Sequence, residues 1–277
     1  MPENSRLRVI AFFAHPDDAD LTMGGTAVLM ARMGHAVKFV SLTSGDAGHH
    51  SKGGGALANR RRLEAQEAAR RLGIEEYTVL DNHDGELIPD LHNRHNIIRE
   101  IRKWNADVVI GMRPNDYHPD HRYTGILVQD AAYMVVVPNV TPDTPPLKKN
   151  PTFLYMSDHF QKPYPFRHDI VVGIDEVLET KVHGLDAHVS QMYEWLPWVD
   201  GILSDVPDSP EERVQWLMDR QSTSSRVSRE QRAGLIKWYG EEKGSQFKHA
   251  ESFEICEYGH QPTDEEIRRI FPIFDQT

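Results

Sequence analysis

Residues 11–27 read AFFAHPDDADLTMGGTA. A greasy run stops at His15 and Pro16, two adjacent aspartates follow, and the chain passes into Met23-Gly24-Gly25-Thr26. Upstream, LRVIAFFA at 7–14 is continuously apolar, the pattern of a strand buried on both faces of a parallel sheet. Downstream, residues 20–33 read as a helix, with Met23, Ala27, Met30 and Ala31 on one side and Gly34 ending it. The turn between them sets Asp17 against Asp18 at the border of an apolar layer. Like charges repel there and burial makes the repulsion worse, so the turn calls for a compensating cation.

The same cadence continues outward. AVKFVSLT (36–43), EEYTVL (75–80) and ADVVIGM (106–112) read as strands, and helices are expected over 59–72, around Ile97–Trp104 and over 121–135. Strand alternating with helix in this way predicts an α/β fold, a Rossmann-like doubly wound, mostly parallel sheet with helices on both faces. TFLYMS and DIVVGI add two strands, 176–195 and 210–240 read as helical, and the Pro-rich 138–151 as a surface excursion. The expected organisation is one domain over 1–277, with a catalytic core at about 7–135 and a C-terminal α/β elaboration at about 150–277. Ligand sites in such sheets lie beyond the carboxyl ends of the strands. HPDD at 15–18 and HPDH at 118–121 both fall there.

Composition narrows the partners. The net charge of -11 disfavours a phosphate backbone, and the only basic run, Arg60-Arg61-Arg62, falls on a helix where a solvated face is the simpler reading. A single cysteine, Cys256, gives no disulfide framework. No apolar run is long enough for a membrane helix, and the expected setting is cytoplasmic, without nucleic acid or membrane. Neither GxGxxG nor a Walker pattern occurs, so Met23-Gly24-Gly25-Thr26 is no nucleotide fingerprint, and its glycines are expected to let the helix pack closely on the first strand.

A metal answers the charge problem. His15 offers an imidazole nitrogen, Asp18 a carboxylate oxygen and His121 a second imidazole from across the sheet edge. Two imidazoles and one carboxylate suit one Zn²⁺ and leave a fourth position for water, the pattern of catalytic zinc. Asp17 can then serve as general base toward that water, and His118 can stabilise or protonate the reacting amide. Asp120 is placed to orient one of the imidazoles from behind.

These motifs, HPDDADLTMGGT with Arg61 and Glu64 in RRLEAQEAARRLG, Asp84 in NHDGEL, and YHPDHR, resemble the PIG-L/LmbE-like family of zinc-dependent N-deacetylases. The resemblance is close over residues 7 to about 135, with weaker echoes in KVHGLDAHVSQ (181–191) and ESFEI (251–255). It implies His15, Asp18 and His121 as zinc ligands, Asp17 as base, His118 as the group at the reacting amide, and Arg61 and Asp84 as sugar contacts. It further implies a hydrolase that removes acetyl from an N-acetylglucosamine-type sugar, working as a possible homo-oligomer, a hexamer in relatives. One departure is visible: many members have Glu after the paired aspartates, whereas this chain has Ala19 and then Asp20. The alternatives are a metal-dependent ester or phosphoester hydrolase and a non-catalytic sugar- or metal-binding protein.

Other residues have plainer readings. From spacing alone Arg61 is a solvent-facing helix arginine and Asp84 an Asp-Gly turn residue. Residues 44–58 are too Gly-rich for an element and read as a mobile loop, with His49 and His50 solvated. His188 reads as a helix-surface histidine, and Trp195 and Trp198 as packing aromatics rather than sugar stackers.

Overall fold

The structure, a computed structural model, describes residues 6–275. Four βα units open the chain: β1 (Arg8–Phe13), α1 (Asp18–Arg32), β2 (Ala36–Thr43), α2 (Gly54–Leu72), β3 (Glu76–Asn82), α3 (Leu91–Trp104), β4 (Val108–Gly111) and α4 (Pro119–Met134). After the excursion come β5 (Thr152–Met156), β6 (Ile170–Gly173), α5 (Leu178–Asp186), a π-helical turn (Ser190–Trp195), α6 (Leu196–Val199), α7 (Pro210–Ser224), α8 (Arg229–Tyr239), α9 (Glu241–Gly244), β7 (Ala250–Gly259) and α10 (Asp264–Ile270). Among the described residues, all seven strands form one sheet in the order β3-β2-β1-β4-β5-β7-β6. β3 to β5 are mutually parallel and β7 runs antiparallel between β5 and β6, so strands of the C-terminal half complete the sheet begun by the first.

The unbroken apolar run of β1 follows from strand geometry. Alternate side chains point to opposite faces, so Val9, Ala11 and Phe13 join the core beneath α1 and α2, while Ile10 and Phe12 join the core beneath α3 and α4. β1 hydrogen-bonds to β2 on one side and β4 on the other, and the strand order reverses between β1 and β4. His15 leaves the carboxyl end of one of these strands and His118 and His121 follow the other, at the crevice where ligands bind in doubly wound sheets.

Three expectations change. The Gly-rich stretch 44–58 is not all loop, because α2 begins at Gly54. The helix over 176–195 is broken after α5 and resumes as the π-helical turn. Finally, α1 begins at Asp18 and is kinked at Met23 (φ -139, ψ 15). At that kink Glu251 of β7 enters and accepts the N–H groups of Gly25 and Thr26 at 2.9 and 2.6 Å, capping the second half of the helix. The glycines therefore make room for the end of β6, for β7 and for α5 rather than for β1: a Cβ on Gly25 would lie 2.9 Å from Cγ2 of Ile174, just past β6, and 3.2 Å from Glu251 Oε1 of β7, and one on Gly24 3.3 Å from Lys181 Cγ.

Candidate metal centre

The root of the first motif is held before the turn begins. The carbonyl of Ala14 accepts Thr43 N–H, Thr43 Oγ1 and Ser41 Oγ at 2.9, 2.8 and 3.1 Å. Asp18 then folds back, and its Oδ2 accepts the backbone N–H of His15 at 2.9 Å. Across the crevice, HPDH is a helix start. His118 is the N-cap of α4, its side chain accepting Asp120 N–H, and Pro119 occupies the first turn, where a missing N–H costs nothing. His121 thereby lies on the first turn of α4, facing His15.

Three candidate ligand atoms converge. His15 Nδ1 lies 3.2 Å from His121 Nε2, and Asp18 Oδ2 lies 3.4 Å from the first and 3.5 Å from the second. Ligand bonds of about 2.0–2.1 Å in a tetrahedral site give ligand–ligand edges of about 3.3 Å, so one small divalent ion fits this triangle. The outer ring nitrogens are backed by carboxylates: His15 Nε2 lies 3.1 Å from Asp84 Oδ1 and 3.4 Å from Asp120 Oδ2, and His121 Nδ1 lies 3.1 Å from Asp116 Oδ1. Such partners take the outer protons and leave the inner lone pairs for a cation. His118 stands beside the pair, its ring 4.7 Å from that of His15, and the ligand atoms of His15, His118 and His121 all lie within 4.8 Å of one another.

Asp120 is completely buried and also accepts Gly85 N–H and Leu87 N–H, pinning the turn that carries Asp84. Asp116 went unrecognised in the sequence, although it stands two residues before His118 and accepts that residue's N–H. Asp46 was likewise missed. It accepts Asp84 N–H at 2.9 Å and meets His83 Nδ1 at 2.8 Å, so the 44–53 loop braces the same turn.

Asp17 is buried and bonded through Oδ1 to Arg61 Nη2 at 2.9 Å, while Oδ2 receives no hydrogen bond from the described residues. Burial drives its pKa up, Arg61 opposes and Asp18 adds to the rise, leaving it at about 6. Asp18 moves the other way: burial would raise it, but His121 and His15 hold it far below the usual carboxylate range. Burial alone would lower His15, yet the carboxylates of Asp120, Asp18 and Asp84 raise it well above the ordinary histidine value. Burial and the neighbouring His15 and His121 lower His118.

Several residues stand in other places than the sequence suggested. Arg61 is not solvent-facing; it is 2% exposed and also donates to the carbonyls of Gly45 and Pro16. Nor is the basic run a solvated face, since Arg60 binds both oxygens of Glu194 and Arg62 meets Asp81. His49 is buried with Nε2 2.8 Å from Glu194, and His50 stacks on Trp198, which stacks on Trp195. His188 lies wholly inside, 3.3 Å from Asp20, which also accepts the Tyr77 hydroxyl. These contacts join residues far apart in sequence, which local periodicity cannot report.

Comparison with known proteins places the chain among deacetylases of N-acetylated sugars. The family profile "PIG-L: GlcNAc-PI de-N-acetylase" matches residues 10–132. A diacetylchitobiose deacetylase of Thermococcus kodakarensis is 29% identical over 204 residues, covering 71% of this chain and 75% of the relative. A probable N-acetyl-alpha-D-glucosaminyl L-malate deacetylase 2 of Bacillus anthracis is 26% identical over 225 residues, covering 76% of this chain and 91% of its own. Among solved structures, N,N'-diacetylchitobiose deacetylase from Pyrococcus horikoshii superposes with a TM-score of 0.66 at 24% identity, covering 90% of this chain and 83% of that one. The 4-carboxy-2-hydroxymuconate hydratase GalB from Pseudomonas putida reaches 0.71 at 18% identity, covering 93% and 99%, so likeness at this level speaks for the fold alone. Profile and relatives point the same way: the chain carries a PIG-L match over residues 10–132 and is similar, over most of its length, to deacetylases of N-acetylated sugars.

Proposed function

We propose that the protein is a zinc-dependent N-deacetylase that releases acetate from an N-acetylglucosamine-type sugar or glycoconjugate. The observation that carries this reading is the triangle of His15 Nδ1, His121 Nε2 and Asp18 Oδ2, with 3.2–3.5 Å edges, beside a buried aspartate that is not needed as a ligand. Two imidazoles and a carboxylate are the donor set of catalytic zinc. A divalent ion bound there lowers the pKa of a water and polarises an acetyl carbonyl.

The protein groups supply the remaining steps. Asp17 accepts the proton of the attacking water through Oδ2, because Arg61 holds Oδ1. A pKa of about 6 makes it a stronger base than a surface aspartate while leaving it ionised at neutral pH. His118 accepts Asp120 N–H at Nδ1, so its neutral ring carries its proton on Nε2, and its lowered pKa keeps it neutral. It therefore acts as a hydrogen-bond donor to the oxyanion rather than as the acid. Asp17 then passes its proton to the departing nitrogen. Asp84 and Asp120 fix His15, and Arg61 serves first as the support of Asp17. The small-molecule partner is an N-acetylated amino sugar; a cytoplasmic setting and a homo-oligomer complete the reading by family resemblance.

The test is metal analysis with an acetate-release assay on N-acetylglucosamine and its β-1,4-linked dimer. One ion per chain and acetate release are expected. Asp17→Asn should lower kcat by about 10²–10⁴-fold, the range of a general base, with the metal retained. Loss of metal together with activity would make Asp17 a ligand instead, and a metal-loaded protein releasing no acetate would overturn the reading.

A further inference from the structure

A second concavity of about 330 Å³ opens at the same carboxyl edge of the sheet and takes no part in the steps above. Thr22 of α1, Ser157 at the end of β5, Lys181 of α5 and Glu251 of β7 line it, and α7 closes it over. Its wall begins about one helical turn along α1 from a candidate ligand, Thr22 Oγ1 donating to the carbonyl of Asp18 at 2.6 Å. Its volume falls at the small end of ligand pockets, enough for a compact polar group.

The charges on its wall are unequally spent. Both oxygens of Glu251 are committed, one to Gly25 N–H and Lys181 Nζ, the other to Thr26 N–H and Oγ1. Lys181 is committed in turn to Glu251 and the Leu21 carbonyl. Arg220 shares one nitrogen with Asp200 and remains 38% exposed at its side chain. Arg226 has no side-chain partner among the described residues, and the amide NH₂ of the buried Gln221 has none either. The groups left for a ligand are therefore donors, two of them guanidinium, in a protein whose net charge is -11. A cationic pocket on an acidic molecule selects anions, and guanidinium is the side chain best shaped for carboxylate or phosphate.

We propose that this pocket binds the anionic group, phosphate or carboxylate, of a glycoconjugate whose N-acetyl group lies at the metal centre, so that the enzyme prefers acidic N-acetylated sugars over neutral ones. The proposal rests on the deacetylase reading. Arg226 is the principal contact and Arg220 and Gln221 complete it.

The experiment compares kcat/KM of the metal-loaded protein for N-acetylglucosamine, its 1-phosphate and a 1-O-carboxyalkyl glycoside. An acidic substrate should be favoured by about tenfold or more, as one charge-assisted hydrogen bond provides. Arg226→Ala should bring the ratio of acidic to neutral substrate close to one, Arg226→Glu should invert it, and Arg226→Lys should keep part of it. Preference for phosphate alone or for carboxylate alone supports the proposal and identifies the source of the anion. Equal turnover of all three substrates, or a preference untouched by Arg226→Ala, overturns it. If no substrate is hydrolysed, the deacetylase reading fails by itself. Calorimetric binding of the same three sugars then decides the pocket: a tenfold weakening of the acidic ligand in Arg226→Ala sustains it. Binding that depends on the metal and not on Arg226 sinks it.

Discussion

Replacing Glu251 with alanine tests the claim that a side chain of the last strand holds the helix behind the candidate metal-binding turn. Glu251 is 3% exposed and accepts four hydrogen bonds, from Gly25 N–H, Thr26 N–H, Thr26 Oγ1 and Lys181 Nζ. Its loss strands the Lys181 ammonium, 1% exposed, with only the Leu21 carbonyl. Removing one partner of a buried pair costs about 3–5 kcal/mol, and each helix N–H left unpaired about 1–3 kcal/mol. The adjoining pocket admits water to part of the gap, so a total of about 5 kcal/mol is expected. With about 2.1 cal/mol/K of unfolding entropy per residue, a chain of this length has about 0.6 kcal/mol/K, and the melting midpoint should fall by about 8 °C. Adding Lys181→Met to Glu251→Ala removes the orphaned charge and should restore about half of that fall. Scanning calorimetry on the wild type, the single variant and the double variant reads all three values. A fall of less than about 2 °C in Glu251→Ala, or no recovery in the double variant, would refute the assignment of Glu251 as cap and counter-ion.

Three further outcomes follow from particular contacts. Gly25→Ala gains helix propensity but drives a Cβ to 2.9 Å from Ile174 Cγ2; overpacking of about 1–3 kcal/mol should win and lower the midpoint by about 2–5 °C, whereas a neutral or raised midpoint would show that Ile174 yields freely. Glu194 is held down to about 2, first by Arg60 and then, against burial, by His49. Its folded pKa lies below the unfolded value of about 4.3, so its stabilisation is present above that pH and is lost as pH falls toward 2. The midpoint difference between wild type and Glu194→Gln should therefore shrink between pH 5 and pH 2, and a constant difference would contradict the pairing. Adding Zn²⁺ to chelator-treated protein at about 100 times its dissociation constant should stabilise by about 2.7 kcal/mol, raising the midpoint by about 4–5 °C. That rise should vanish in His121→Ala, and an equal rise in both proteins would place the ion elsewhere.

What the chain announces locally, it announces well. HPDD and HPDH were legible because strand ends, proline at a helix start and paired aspartates are all short-range features. Their supports were not. Asp116 hides in a loop where an aspartate needs no explanation, and Glu251 sits in a strand whose alternation marks it only as one more inward residue. Arg61 misleads because a helix wheel assigns it to a basic run, whereas the partner that buries it, Asp17, lies 44 residues earlier. His49 and His188 mislead for the same reason: glycine-rich surroundings or a helical position suggest solvent, and the carboxylates that draw them inside, Glu194 and Asp20, are remote in sequence. The kink at Met23 leaves no local signature either, since the glycines beside it serve equally for close packing in a straight helix.

The antiparallel β7, threaded between β5 and β6, has a bearing on how far the family signature can be trusted as a unit. Every candidate ligand falls within residues 10–132, the matched span, yet Glu251, His188 and Glu194 all press on that span from beyond it. Cutting the chain after α4 would expose one edge of β4 and leave α1 without the carboxylate that divides it. A fragment bearing the whole recognisable motif would thus be a set of ligands without a scaffold: what makes the family identifiable and what makes the centre rigid reside in different halves of the polypeptide.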